Sequence, residues 1–311
     1  MKAIRIHEFG SPEVLRLEEI APPEAGPSDV LIRVVAASVN PIDCKIRSGA
    51  MKGALRRSLP VVLGWDTAGV VESVGAAVTR FKCGDAVYSY PEFSRGGTYA
   101  EYVAVDESQV ALKPRTIPFA AAASLPMTAQ AAWTAVIISG ELAAGQTVLI
   151  HGGAGGLGAI AVQLAKQRGA HVIATASGDG VELVRSLGAD QVIDYRTTRF
   201  AEVVKNADLV VDTIGGATQE DSWSVLKPGG MLVATATPPS PERAQAAGVR
   251  SSFIFTVPSG AVLEELALLI DSGQLRPLVG REMALADAAK AHALVESGQA
   301  KGKIVLHVGQ P

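Results

Sequence analysis

Residues 147–176 read TVLIHGGAGGLGAIAVQLAKQRGAHVIATA. A short apolar run is followed by a glycine-rich turn, then by a segment with helical apolar spacing opening near Leu157, then by a second apolar run. Gly153, Gly155 and Gly158 fit G-x-G-x-x-G, and the match lies between a strand expected at 148–151 and that helix, where its physics requires it. Glycines there permit a tight turn, let the backbone approach a pyrophosphate, and leave helix N-terminal N–H groups facing the anion. The stretch therefore predicts a dinucleotide-binding unit, with Gly153, Ala154, Gly155, Gly156, Leu157 and Gly158 as the cofactor-binding turn.

The end of the second strand discriminates between nicotinamide cofactors. A site that prefers NAD usually carries Asp or Glu there, to hold the ribose 2′-hydroxyl. Here the position is Ser177, which is neutral and can donate a hydrogen bond. A carboxylate facing a 2′-phosphate at ~4 Å would cost about 1 kcal/mol in water and ~4 kcal/mol at an effective dielectric of about 20. Its absence permits NADPH, which is the expected cofactor. Asp179 lies two residues on and no Lys or Arg follows directly, so the phosphate contact falls to Tyr195, Arg196 and Arg199, after a third strand expected at 191–193.

The chain has 311 residues, 48% of them hydrophobic, which suggests about two domains and a large core. A net charge of −3 without a dense Lys/Arg run argues against nucleic acid or an anionic membrane as partner. Cys44 and Cys83 are too few for a disulfide framework or a structural zinc site, which suits a reducing cytoplasm. The stretch 117–140 carries no charge and exceeds the ~20 residues of a spanning helix. Pro118, Pro126, Ser124, Thr128 and Gln130 interrupt it, so buried helices are expected instead. The N-terminus, MKAIRIHEFGSPEVL, lacks the apolar core of a signal peptide.

Residues 1 to about 115 read as short strands with frequent turns, at 3–6, 29–38, 69–74, 86–89 and 99–105, a mostly antiparallel β domain. From about 120 to 257 strands and helices alternate, with strands at 148–150, 172–175, 191–193, 209–212, 231–234 and 253–257. Six such strands make a doubly wound parallel sheet, so the fold class is α/β. Helices at 261–270 and 285–297 and a strand at 303–308 close the chain.

Several segments carry a family resemblance in their order and spacing: SVNPIDCKIRSG (38–49), LPVVLGWDTAGVVESVG (59–75), GDAVY (84–88), the glycine turn, SLGADQVIDY (186–195), DLVVDTIGG (208–216), LKPGGMLV (226–233) and GKIVLHV (302–308). Over its whole length the chain resembles the medium-chain dehydrogenase/reductase superfamily, and within it the zinc-independent quinone oxidoreductase-like branch. The resemblance implies a GroES-like catalytic domain, 1–118 with 259–311, and an inserted Rossmann domain, 119–258. Zinc alcohol dehydrogenases of the superfamily hold their catalytic metal with Cys, His and Cys. Matching the flanking motifs places these positions at Asn40, Trp65 and Met127, none a usual zinc ligand. The segment 88–102 also lacks the cysteines of their structural zinc lobe. No metal is therefore expected.

Without a Lewis acid, the chemistry implied is hydride transfer to an acceptor that needs little polarisation, a quinone or an α,β-unsaturated carbonyl. No Tyr has Lys four residues later, which excludes a short-chain reductase site. Asn40 stands where the resemblance places a residue beside the nicotinamide; it is a catalytic and cofactor-binding candidate, or the residue of an Asn-Pro turn. Asp43 is a catalytic candidate or a structural acceptor, with the donor-only indole of Trp65 expected as its partner. Tyr90 is a candidate proton donor or a packing residue. Ala131 replaces a Thr that often contacts nicotinamide in relatives, which directs attention to Thr128. Ile214 completes the cofactor-binding candidates. His151 is expected to pack or cap, and His7, His171, His292 and His307 show no metal spacing.

Two other readings stay open. An enoyl-thioester reductase would need a basic patch, for which the loop at Lys52, Arg56 and Arg57 is the candidate. A redox sensor would bind NADPH without turnover. The strand SSFIFTV (251–257), expected at a sheet edge, predicts a homodimer by edge pairing.

Overall fold

The computed structural model describes residues 1–55, 58–300 and 302–310. Its strands, in chain order, are β1 (Lys2–Ile6), β2 (Arg16–Glu19), β3 (Asp29–Val39), β4 (Val61–Val62), β5 (Thr67–Val74), β6 (Ala86–Ser89), β7 (Tyr102–Asp106), β8 (Val110–Leu112), β9 (Thr147–Ile150), β10 (His171–Ala176), β11 (Gln191–Asp194), β12 (Ala207–Asp212), β13 (Leu226–Ala234), β14 (Arg250–Phe253), β15 (Val279–Ala284) and β16 (Lys303–His307). The α-helices are α1 (Pro41–Arg47), α2 (Phe119–Ala123), α3 (Pro126–Trp133), α4 (Gly156–Gln167), α5 (Asp179–Ser186), α6 (Phe200–Val203), α7 (Gly216–Ser222), α8 (Pro241–Ala247), α9 (Gly260–Asp271) and α10 (Ala288–Glu296). The chain divides into two compact units, Met1–Met127 with Val257–Pro311, and Thr128–Thr256.

In the first unit the long, almost wholly buried β3 is the centre of a sheet ordered β15-β16-β3-β5-β6-β8, with β7 also paired to β3. A second sheet is ordered β2-β1-β4. The strand expected at 99–105 begins only at Tyr102. Residues 99 and 100 belong elsewhere: the Ile4 N–H donates to Tyr99 O, Tyr99 N–H donates to Leu63 O, and Ala100 bridges Ala3. The chain changes partners between the two sheets, and an apolar pattern does not reveal that. β2 and β15 escaped the sequence reading because their exposed, charged faces offer no apolar alternation. The antiparallel register Ile304↔Val39 sets Lys303 beside the end of β3, where α1 begins.

The second unit holds one parallel sheet ordered β11-β10-β9-β12-β13-β14. The chain winds outward from β9 through β10 to β11, then returns to the other side of β9 for β12, so the switch point lies between β9 and β12. The sixth strand lies at 250–253 rather than 253–257. Its partner β13 stops at Ala234, opposite Phe253, and the Ile254 N–H makes a last bond to Ala234 O. Beyond it, Phe255 and Val257 are exposed. The uncharged stretch 117–140 forms α2, α3 and a π-helical turn at Thr134–Ile138. Among the described residues no helix is long and apolar enough to cross a membrane.

Candidate active site

The turn from β9 into α4 is built by close backbone approach. A Cβ on Gly158 would stand 2.2 Å from the Gly152 carbonyl oxygen and 3.0 Å from Gly153 Cα, so only glycine lets the first helical turn press against the loop. Gly153 is less constrained: a Cβ there would meet the Ala174 and Val184 side chains at 3.0–3.3 Å. The left-handed residue is Gly152 (φ +66), just outside the G-x-G-x-x-G match, where a side chain would also strike Thr213 Oγ1 at 2.7 Å. The motif offset hid this fifth glycine of the turn. No side chain caps α4 at Gly155. Its first N–H groups, from Gly156 onward, therefore face outward as anion donors beside the half-exposed Ala154 and Leu157. These residues fit a dinucleotide pyrophosphate.

β10 and β11 pair through Ala176↔Asp194, so the next residues, Ser177 and Tyr195, leave the sheet side by side. The Ser177 hydroxyl donates to the Tyr195 phenol oxygen at 2.8 Å, and Tyr195 is 58% exposed. The two form a neutral hydroxyl pair at the site expected for a 2′-phosphate. Arg199 is drawn away to Asp221 at 3.3 Å, while Arg196 is exposed on the same turn. At the switch point, Asp212 Oδ1 accepts from the Ile214 and Gly215 N–H groups at 2.9 Å, and its Oδ2 accepts from Gln219 at 3.0 Å. This turn leaves Ile214 exposed beside the glycine loop, to which it is tied by the Thr213 hydroxyl donating to His151 O at 2.8 Å. His151 is buried between Thr175 Oγ1 and Ser222 Oγ, and burial pulls its pKa down to about 4, so the ring is neutral. Thr128 is buried in α3.

In the first unit, Asn40 ends β3 and starts α1. Its side chain is held by an ion pair. Asn40 Nδ2 donates to Asp66 Oδ2 at 2.7 Å, and the Lys303 ammonium donates to Asn40 Oδ1 at 2.5 Å, to Val39 O at 3.2 Å and to Asp66 Oδ2 at 3.2 Å. Ser38 Oγ also donates to Asp66 Oδ2, at 2.7 Å, and the Met127 N–H donates to Asp66 Oδ1 at 2.6 Å. Asp66 is fully buried and Lys303 nearly so. Positions 40 and 127 thus converge on the Asp66 carboxylate, with an ammonium beside it. The sequence singles out neither: Asp66 lies unremarked within the motif at 59–75 and Lys303 opens the strand expected at 303–308.

Asp43 is fully buried, and its partner is not Trp65. Asp43 Oδ2 accepts from the Asn40 N–H and the Tyr99 hydroxyl, both at 2.8 Å, so it pins the first turn of α1. Trp65 turns instead edge-on to Phe93, with ring centroids 4.7 Å apart. Among the described residues neither Trp65 Nε1 nor Asp43 Oδ1 has a hydrogen-bond partner. Burial raises the Asp43 pKa to about 7, against the lowering effect of its two donors. His292 Nε2 lies 3.3 Å from the Tyr99 oxygen, and burial lowers its pKa to about 3. Tyr90 is 2% exposed and packs edge-on to Phe93; burial, with the Asp66 and Asp43 charges, raises its pKa and keeps the phenol protonated. Lys52 lies in a short turn, Lys52–Ala54, while Arg56 and Arg57 of the basic-patch candidate lie outside the described residues.

Comparison with known proteins accords with this geometry. Residues 26–115 match the alcohol dehydrogenase GroES-like domain and residues 187–306 match the zinc-binding dehydrogenase family. The chain is 39% identical over 322 residues to the chloroplastic NADPH-dependent alkenal/one oxidoreductase of Arabidopsis thaliana, covering 99% of this chain and 79% of that one. It belongs to the medium-chain dehydrogenase/reductase superfamily, in the quinone oxidoreductase-like branch. Within that branch, the quinone oxidoreductase of Coxiella burnetii superposes with a TM-score of 0.92 at 36% identity, covering 99% of both chains. The Escherichia coli quinone oxidoreductase, solved in complex with NADPH, superposes with a TM-score of 0.89 at 28% identity, covering 99% of this chain and all of that one.

The second family description implies a zinc ion, and the donor chemistry does not fit one. Positions 40, 65 and 127 offer a carboxamide already engaged by Lys303 and Asp66, a donor-only indole and a thioether. A cation placed there would also meet the Lys303 ammonium.

Proposed function

We propose that this protein is a metal-free, NADPH-dependent oxidoreductase that reduces quinones or α,β-unsaturated carbonyls. The observation that carries the reading is that one chain holds both an intact nucleotide turn and, in its other unit, Asn40, Trp65 and Met127 at the positions that correspond to zinc ligands. The names of the Arabidopsis and bacterial relatives support the same acceptors and cofactor. Residues 153–158 would bind the pyrophosphate, Ser177 and Tyr195 the 2′-phosphate, and Asn40, Thr128 and Ile214 the nicotinamide end. NADPH, when bound, supplies a hydride. A conjugated acceptor spreads the incoming charge onto its own distant oxygen, so the chain's part is to orient the partners and return one proton. That proton comes from water or from the Tyr90 phenol, while Asp43 holds α1 and hence the Asn40 backbone. In this reading the catalytic domain is 1–118 with 259–311 and the cofactor domain 119–258.

The cytoplasm is the proposed compartment, and a homodimer the proposed assembly. β14 lies at the end of its sheet, and because the Ile254 N–H is spent on Ala234, the neighbouring Phe253 directs its own N–H outward. An open sheet edge with Phe253, Phe255 and Val257 exposed along it supports pairing with a second copy. Steady-state NADPH oxidation with 1,4-benzoquinone, an enone and a crotonyl thioester tests the substrate class. Turnover with the first two is expected. Preference for the thioester, or tight NADPH binding without turnover, would contradict the reading.

A further inference from the structure

We propose that Lys303 and Asp66 are positioning residues that set the polarity of the Asn40 carboxamide. The inference rests on the reading above, in which Asn40 touches the nicotinamide end. An asparagine amide can turn over and exchange its oxygen and nitrogen. Here the ammonium stands against Oδ1 and the carboxylate against Nδ2, so a flipped amide would set NH2 against NH3⁺ and oxygen against oxygen. The pair is itself held: Val39 O takes another ammonium proton, while the Ser38 hydroxyl and the Met127 N–H take further carboxylate lone pairs. Every group lies in the first unit. The parts come from the end of β3, the residue preceding β5, the start of α3 and the C-terminal strand β16. A strand that sequence reads as packing thus delivers, through its register with β3, the cation that orients a site residue 263 positions away.

A buried ion pair could also serve only to balance charge in the core, and the variants separate the two roles. Lys303→Met should lower kcat about tenfold, with KM for NADPH changed less than about twofold, and should lower the melting temperature by stranding Asp66. Adding Asp66→Asn removes the stranded charge, and should restore the melting temperature without restoring kcat. In an Asn40→Ala background the pair should have no further effect on kcat, because its action passes through Asn40. A double variant with wild-type kcat, or losses that multiply in the Asn40→Ala background, would overturn the proposal.

A second readout needs no turnover. The sequence has two asparagines, Asn40 and Asn206, so their side-chain NH2 signals are assigned by one substitution in an asparagine-15N-labelled sample. The Asn40 pair should be widely split and protected from exchange, and in Lys303→Met it should collapse towards the averaged position of a mobile amide. An unmoved Asn40 pair would overturn the positioning role. Absence of turnover in the unmodified protein would sink the functional reading instead, and the Asn40 spectrum would still decide the positioning.

Discussion

At the proposed 2′-phosphate site, Ser177 and Tyr195 present two hydroxyls and no carboxylate. Ser177→Asp would set a carboxylate against the 2′-phosphate and weaken NADPH several-fold to ~100-fold, from about 1–3 kcal/mol of repulsion, with NADH affected less. Fluorescence titration of both cofactors measures this, and wild-type protein that binds NADH as tightly as NADPH would contradict the assignment. Asp43 makes a pH-dependent prediction. Its ordinary value is 3.8 and its folded value about 7, so between these limits the folded protein holds a proton that the unfolded chain has released. Wild-type stability contributed by this group is therefore lost as pH rises through the window, at about 1.4 kcal/mol per pH unit. Asn does not titrate. The stability advantage of Asp43→Asn over wild type should widen by about 2–4 kcal/mol between about pH 4.5 and 7.5 in urea unfolding. A gap that stays flat would mean that the buried carboxyl does not take up the proton. Asn40 and Asp43 were reached through the family resemblance, which rests on local motifs. Tyr99, Asp66 and Lys303 were not, because their bonds join residues far apart in the chain.

At the scale of elements, the glycine turn and the first five parallel strands were legible because each is a local pattern: an apolar run, a glycine cluster, then helical spacing. Gly158→Ala tests the turn most sharply, since the new methyl would meet backbone, which cannot swing aside as a side chain would. A cost of about 1–3 kcal/mol in unfolding and a rise of NADPH Kd of at least ~10-fold are expected. Unchanged NADPH titration and urea curves would contradict the turn's role. The sixth strand shows the limit of local reading. FIFTV is the more β-prone stretch, yet the ladder uses 250–253, because a strand ends where its partner ends. Beyond it Ile254 is buried while Phe255 and Val257 are exposed, which bears on assembly. Phe253→Lys would put a charge on the outer edge of β14 and should convert the proposed dimer to monomer in light scattering at micromolar concentration. A wild-type protein that is already monomeric there would refute edge pairing.

At the scale of the whole molecule, the alternation of strands and helices decided the class of the second unit, while the interrupted course of the first appears only in the register of its sheets. Residues 1–127 return to their sheet through a segment that begins at Val257. No single stretch of sequence announces that closure; the resemblance implied it, and the pairing of β16 with β3 displays it. The same closure brings Lys303 to the Asp66 carboxylate, on which Asn40 and the Met127 N–H converge. The most direct test of metal-free reduction is the fate of the label when deuterated NADPH and an α,β-unsaturated ketone react on protein dialysed exhaustively against EDTA. The account predicts deuterium at the β-carbon of a saturated ketone, formed at the same rate as before dialysis. Deuterium at the carbonyl carbon of an alcohol, or a rate lost on dialysis and recovered with zinc, would contradict it.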